Sequence, residues 1–371
     1  MNIALIKLGS RISISSTGTS GGTGEALSII KMLIEGGASV DVYTKVLKKD
    51  IMPSEFNIYD LESNYEDINN RNYDCLLVLN GNVNYFGGQD DPSQTLNYYI
   101  INHFNNRVFY ILCDCNLLLT QIWNQIVKKP WSSNYLESDI YIKRDDIIYI
   151  TQAQAVDKVI EKARKDVAIR NCFYYPLEKF PLLTLQYSDF NENPIYDISY
   201  GGTFRGGKRE ADMIKFYFGY PEDIKVEMFG KIQLSNFNKK KIDCLNSPIF
   251  NKSVDYDKFS DKMLESRSTI IIGDPLYKSW SDLAQRIYES IMIGNICFID
   301  RTYDFNQRVF SDYELRNFCY ITDKKSEIVE KIKKIRDNSY RQYLIALQRE
   351  DTEIDLNKYC SDFVNLLKEN L

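Results

Sequence analysis

The chain has 371 residues, 44% of them hydrophobic and 26% charged, and carries a formal charge of -5. That composition excludes a disordered chain, and the length passes the roughly 250 to 300 residues at which one core stops growing, so two domains are expected. The acidic balance excludes a general attraction to nucleic acid and leaves any polyanion to meet a local basic patch.

In chain order, "MNIALIKLGS" offers too few apolar residues for a signal-peptide core, and no run reaches the ~18 needed to span a membrane. A cytoplasmic protein with no membrane partner is expected. "NIALIKL" reads as a buried strand, and "GTSGGTGEAL" after it is a glycine-rich loop opening the helix "GEALSIIKMLIEGG". The loop fits neither G-x-x-x-x-G-K-[ST] nor G-x-G-x-x-G, so neither an ATPase nor a dinucleotide fingerprint is supported. Its helix start favours an anion or polar ligand, and Glu25 in the first turn is either a ligand contact or a carboxylate matched to the helix dipole.

"SVDVYTK", "YDCLLVLNG", "RVFYILCD", "IIYITQA" and "CFYYPL" come next as strands. Their alternation with helical or loop material is the rhythm of a doubly wound parallel sheet. Asp114 ends the very apolar strand "RVFYILCD", where a carboxylate either caps the next helix or acts as a base. The eight cysteines, at 75, 113, 115, 172, 244, 297, 319 and 360, read as small buried hydrophobes, and "CDC" lacks zinc spacing. His103, the single histidine, is read as a helix-end residue, which argues against Ser-His or Cys-His chemistry.

After the polar stretch 186–194 the rhythm restarts with "IYDISYGG", "READMIKFYFG", "KVEMFG", "STIIIGD", the helix "SDLAQRIYESIMIGN", "ICFID" and "FCYIT". Domains of 1–185 and 186–350 are expected, with the helical end 351–371 packing back on the first. Between strand and helix, "YGGTFRGGKRE" joins bare backbone to positive charge. The Thr203 hydroxyl, backbone amides, Arg205 and Arg209 suit a phosphate, and a solvated basic turn is the alternative. Arg286 and Glu289, three apart on one helical face, are either a salt bridge or a nucleotide pair, arginine on phosphate and carboxylate on ribose.

"MNIALIKLG", "VNYFGG" (83–88), "KKPW" (128–131), "YYPLEKF" (174–180), "YGGTFRGGKRE", "IIIGD" (270–274) and the Arg-x-x-Glu helix occur together in this order. In these motifs the chain resembles the bacteriophage DNA β-glucosyltransferases of the T-even type, which transfer glucose from UDP-glucose to 5-hydroxymethylcytosine in duplex DNA. The resemblance implies an α/β protein of GT-B type, with two Rossmann-like domains facing across a cleft, the first binding DNA and the second UDP-sugar. It implies UDP on Arg205, Arg209 and Thr203, the last in place of the family's serine, with Arg286 and Tyr277 beside the diphosphate. The spacing between Tyr277 and Arg286 is one residue longer than in the family. Gly230 would let backbone approach the uracil, Glu289 would hold the ribose and Glu25 the sugar hydroxyls. Asp114 would be the general base, Asn84, Tyr85, Phe86 and Gly87 would line the pocket for a flipped base, and Asp114 with Glu178 would hold a divalent metal, Mg²⁺ or Mn²⁺.

The resemblance thus implies an inverting enzyme that masks phage DNA inside an infected bacterium, acting as a monomer. The familiar relatives are basic and this chain is acidic; "KVLKK" (45–49), "KK" (128–129) and "NKKK" (238–241) are its candidate phosphate contacts. The alternatives are a GT-B UDP-sugar transferase with a different sugar or a non-DNA acceptor, and a nucleotide-binding module without catalysis.

Overall fold

The structure, a computed structural model, describes residues 1–8, 21–44, 55–80, 100–112, 144–158, 171–202, 208–230, 246–254, 258–273 and 275–371. It divides into one compact unit of Met1–Thr184 with Asp355–Leu371 and another of Leu185–Ile354. Among the described residues, no helix is long and apolar enough to cross a membrane.

The first unit is built on β1 (Asn2–Leu8), β2 (Ser39–Thr44), β3 (Asn57–Asp60), β4 (Cys75–Asn80), β5 (Arg107–Leu112), β6 (Ile148–Thr151) and β7 (Asn171–Tyr174), with α1 (Gly21–Glu35) joining β1 to β2. The strands lie in the order β3-β2-β1-β4-β5-β6-β7 and every pair is parallel. In β1, Ile3, Ala4, Leu5 and Ile6 are all buried, because a central parallel strand is covered on both faces. Such a strand reads as a continuous apolar run, which is why it shows in the sequence.

The second unit contains β8 (Tyr196–Gly201), β9 (Val226–Phe229), β10 (Ile249–Asn251), β11 (Ser266–Ile271), β12 (Ile296–Asp300) and β13 (Tyr320–Ile321), in the order β10-β9-β8-β11-β12-β13 and again all parallel. Its helices are α2 (Lys208–Tyr217), α3 (Phe259–Leu264), α4 (Pro275–Trp280), α5 (Arg286–Ile293), α6 (Tyr313–Cys319), α7 (Lys325–Lys334) and α8 (Asn338–Asp351). The sequence pattern does not predict β3 or β10; both are short edge strands, half-exposed, with no apolar run to mark them. Each sheet reverses its strand order once, between β1 and β4 and between β8 and β11. The carboxyl ends of strands at such a reversal form the ligand crevice of open α/β sheets.

Two expected helix starts move. α1 begins at Gly21, so Glu25 lies one turn inside the helix rather than in its first turn. The helix expected from Ser281 begins only at Arg286, since Ser281 takes a left-handed φ of 54° and the Asp282 amide bonds back to the Tyr277 carbonyl at 3.0 Å. His103 is the last helical residue of 100–103 and is exposed. Of the described cysteines, 75, 297, 319 and 360 are buried and 172 is partly so; none is in a disulfide.

The last helix, α9 (Leu356–Glu369), belongs to the first unit. Asp355 caps it, accepting from the Lys358 amide at 3.0 Å, and Tyr359, Cys360, Phe363, Val364 and Leu367 form its buried face. Two tyrosines clasp it reciprocally to the end of β7. The Tyr175 hydroxyl donates to the Tyr359 carbonyl, and the Tyr359 hydroxyl donates to the Pro176 carbonyl at 2.9 Å, while the Tyr175 ring packs 4.8 Å from that of Phe363. Tyr359→Phe should therefore cost about 1 kcal/mol, the worth of one hydrogen bond, since the half-buried Pro176 carbonyl keeps the Lys179 amide at 3.1 Å. A urea midpoint lowered at unchanged slope would record it.

Candidate functional site

In the second unit, the segments leaving β8 and β9 touch through backbone. The Gly202 amide donates to the Phe229 carbonyl at 2.9 Å, and the Gly230 amide reaches the Asn251 carbonyl at 3.4 Å. Gly230 has φ +135°, and a Cβ there would stand 1.9 Å from the Gly202 oxygen. Only glycine fits, and the result is a strip of main chain in direct contact at the carboxyl ends of β8, β9 and β10.

Arg286 and Glu289 project from the first turn of α5. The Arg286 Nε is 2.7 Å from Glu289 Oε2, one Nη donates to the Gly201 carbonyl, and the guanidinium lies 4.4 Å over the Phe259 ring. The arginine side chain is 35% exposed and the carboxylate 12%, so the arginine can still meet a ligand. The salt-bridge alternative read from the spacing is thus present, and it holds both groups at the end of β8. Phe259 opens α3 and also packs on Phe229, ring centroids 5.7 Å apart. Nothing in "DKFSDKML" signals that role, because its contacts are all distant in sequence.

Beneath this strip, Glu227 on β9 is wholly buried and meets Lys262 Nζ at 2.6 Å and the Asn251 amide. Burial opposes the Lys262 charge, yet hydrogen bonds to Glu227 and Glu265 outweigh it and hold the ammonium above its ordinary pKa. The Lys262 ammonium is thus held between two carboxylates, and Asn251 fixes β10 against β9.

α2 is the next described element after β8 and runs from Lys208. Arg209 lies in its first turn. Thr203 and Arg205 fall in 203–207, outside the described residues. Tyr277, half-buried on α4, precedes the turn that leads to Arg286. The structure thus brings Gly230, Arg286 and Glu289 to one region of the second unit.

In the first unit, Glu25 is half-buried on α1. Glu178 sits in the 3₁₀ turn Leu177–Lys179 after β7, 3% exposed, with Oε1 accepting from the Tyr174 hydroxyl at 3.5 Å. Among the described residues, no three His, Cys, Asp or Glu side chains stand together as a metal site. Asp114 comes two residues after β5 and, like Asn84, Tyr85, Phe86 and Gly87 and the basic runs 45–49, 128–129 and 238–241, lies outside the described residues.

Residues 1–181 match the family model for bacteriophage T4 beta-glucosyltransferase. The DNA beta-glucosyltransferase of Enterobacteria phage T4 is 23% identical over 355 residues, 94% of this chain and 94% of that protein. The structure of T4 phage BGT in complex with UDP and Mn²⁺ superposes with a TM-score of 0.78 at 22% identity, covering 100% of this chain and 99% of that one. The T4 phage BGT complex with its UDP-glucose substrate gives 0.77 at 21% identity, with the same coverage. The two parallel sheets with their helices are accordingly a GT-B fold.

Proposed function

We propose that this chain, whose residues 1–181 match the family model for bacteriophage T4 beta-glucosyltransferase, is a member of that family and an inverting UDP-glucose-dependent glucosyltransferase acting on a hydroxymethylated base, 5-hydroxymethylcytosine, in duplex DNA. The observation that carries the nucleotide half is the Arg286–Glu289 pair held on the Gly201 carbonyl, next to the close contact of Gly202 with Gly230. A guanidinium and a carboxylate so placed suit a diphosphate and a ribose, one giving a fork of donors, the other accepting from two hydroxyls. Arg205, Arg209 and Thr203 would complete the diphosphate contacts, Tyr277 would lie beside them, and Glu25 would hold glucose hydroxyls.

The target base is unreachable inside a duplex and must flip out, into a pocket lined by Asn84, Tyr85, Phe86 and Gly87. Asp114 takes the proton of the hydroxymethyl group as its oxygen attacks the anomeric carbon from the face opposite UDP. The bond to the diphosphate breaks on the other side, so an α-linked donor yields a β product. Negative charge growing on the leaving diphosphate is met by the arginines. A divalent ion, when bound, would supply further neutralisation of that charge. Of the residues assigned to it, Glu178 is a hard oxygen donor of the type such ions take, and it is the described one of the pair.

The test is to incubate the protein with UDP-[¹⁴C]glucose and duplex DNA containing 5-hydroxymethylcytosine. Label in the DNA as a β-glucoside is the expected result; no label in this duplex or in one with hydroxymethyluracil would overturn the DNA half. The formal charge of -5 favours the second reading, a GT-B transferase with a non-DNA acceptor. Salt-dependent retention on duplex DNA distinguishes the two.

A further inference from the structure

α5 starts without a side-chain cap of its own. Gln285 occupies the N-cap position with no side-chain hydrogen bond to the helix, although a helix start leaves amides that need partners. The preceding turn, 281–285, is held instead by the segment after β12. There Tyr303 is 3% exposed, and its hydroxyl accepts from the Ala284 amide at 2.6 Å. Its ring lies so tightly on Gly273 that a Cβ at 273 would be 1.9 Å from its Cδ2. Arg308 holds the other end of the turn, donating to the Ser281 carbonyl at 2.8 Å. Arg308 Nε is itself 3.5 Å from Asp304 Oδ1, and Asp304, 1% exposed, also accepts from the Val309 amide at 3.1 Å and from the Tyr320 hydroxyl. Ser281 and Gln307, one on each side of this contact, both take left-handed φ values, 54° and 51°. Strained backbone of that type persists only where its surroundings fix it.

We propose that Tyr303 and Arg308 are positioning residues for the donor nucleotide: they clamp the turn 281–285 from outside and so set where Arg286 and Glu289 meet it. The inference rests on the proposal that this site binds a nucleotide. Neither residue touches the nucleotide in this scheme; both act on the start of α5. A fork of donors and a ribose-binding carboxylate lose their value when displaced by a fraction of an ångström, and Gln285 supplies no cap to prevent that.

The experiment uses the full chain and measures UDP affinity by titration calorimetry, with melting temperature alongside. Tyr303→Phe removes the acceptor for Ala284 and keeps the ring on Gly273; Arg308→Lys removes the fork and keeps the charge. Each should weaken UDP binding about fivefold, the worth of one lost hydrogen bond. In an Arg286→Ala background the same substitutions should cost less than about twofold, since coupled residues are non-additive; a merely structural role would cost the same in both backgrounds. Unchanged UDP affinity in both single variants, or a loss of full size persisting beside Arg286→Ala, overturns the clamp alone. A wild-type chain that binds no UDP overturns the nucleotide reading and the clamp with it.

Discussion

Asp114→Ala is expected to reduce glucosyl transfer by about 10²–10⁴-fold, the range supplied by a general base, while UDP affinity stays within about twofold. A hydroxymethyl oxygen keeps its proton at neutral pH and attacks poorly until a group within hydrogen-bond reach removes that proton. The sequence has one histidine, His103, and it is exposed at the end of a helical segment, so the base is to be sought among carboxylates. β5 runs buried from Val108 to Leu112 and is the next strand but one from β1 in the sheet, so its carboxyl end lies near the β1/β4 reversal, where such sheets place their chemistry; Asp114 follows two positions on in the sequence. The groups proposed for UDP belong to other elements, which is why binding and turnover should separate. Single-turnover label transfer and calorimetry on the same preparation check both halves. Asp114→Asn, which preserves shape and removes the proton acceptor, should fail as fully as alanine; an asparagine variant with more than about a tenth of wild-type turnover would remove Asp114 from the mechanism.

How legible each feature is in the sequence depends on how local it is. β1, β4 and β5 are unmistakable because buried parallel strands are continuous apolar runs, as in "NIALIKL" and "CLLVLNG". Asn57–Asp60 and Ile249–Asn251 escape because edge strands bury one side at most. "SDLAQRIYES" carries a Ser-Asp start signal and reads as helix from Ser281, yet tertiary contacts from Tyr303 and Arg308 keep 281–285 as a turn. Local propensity does not contain that information. The same division holds in the site. Arg286 and Glu289 are legible as a pair because three residues on a helix bring side chains together. Phe259 under Arg286, the Gly202–Gly230 contact and the Glu227–Lys262 pair each join separate segments, and no spacing rule announces them.

Gly230→Ala should be among the most damaging single-methyl changes in the second unit, lowering stability by roughly 3 kcal/mol or more and weakening UDP binding at least about tenfold. Two costs combine. At φ +135° an L side chain is strained whatever surrounds it, by about 1–3 kcal/mol. In addition the new Cβ would lie 1.9 Å from the Gly202 oxygen and 2.7 Å from its carbonyl carbon, and neither atom belongs to a side chain that can swing away. The segment leaving β8 would have to retreat, and Gly202 would lose its 2.9 Å bond to the Phe229 carbonyl. Gly201, whose carbonyl anchors Arg286, is the adjacent residue, so the displacement passes directly to the guanidinium. Gly37→Ala is the informative comparison, because Gly37 also has positive φ, +86°, but nothing lies within 4 Å of its would-be Cβ. That variant should lose only about 1 kcal/mol, the strain by itself, and bind UDP as the wild type does. Urea denaturation of both variants with calorimetric UDP titration makes the comparison. If Gly230→Ala behaved like Gly37→Ala, the contact between the β8 and β9 segments would not be what orders this site.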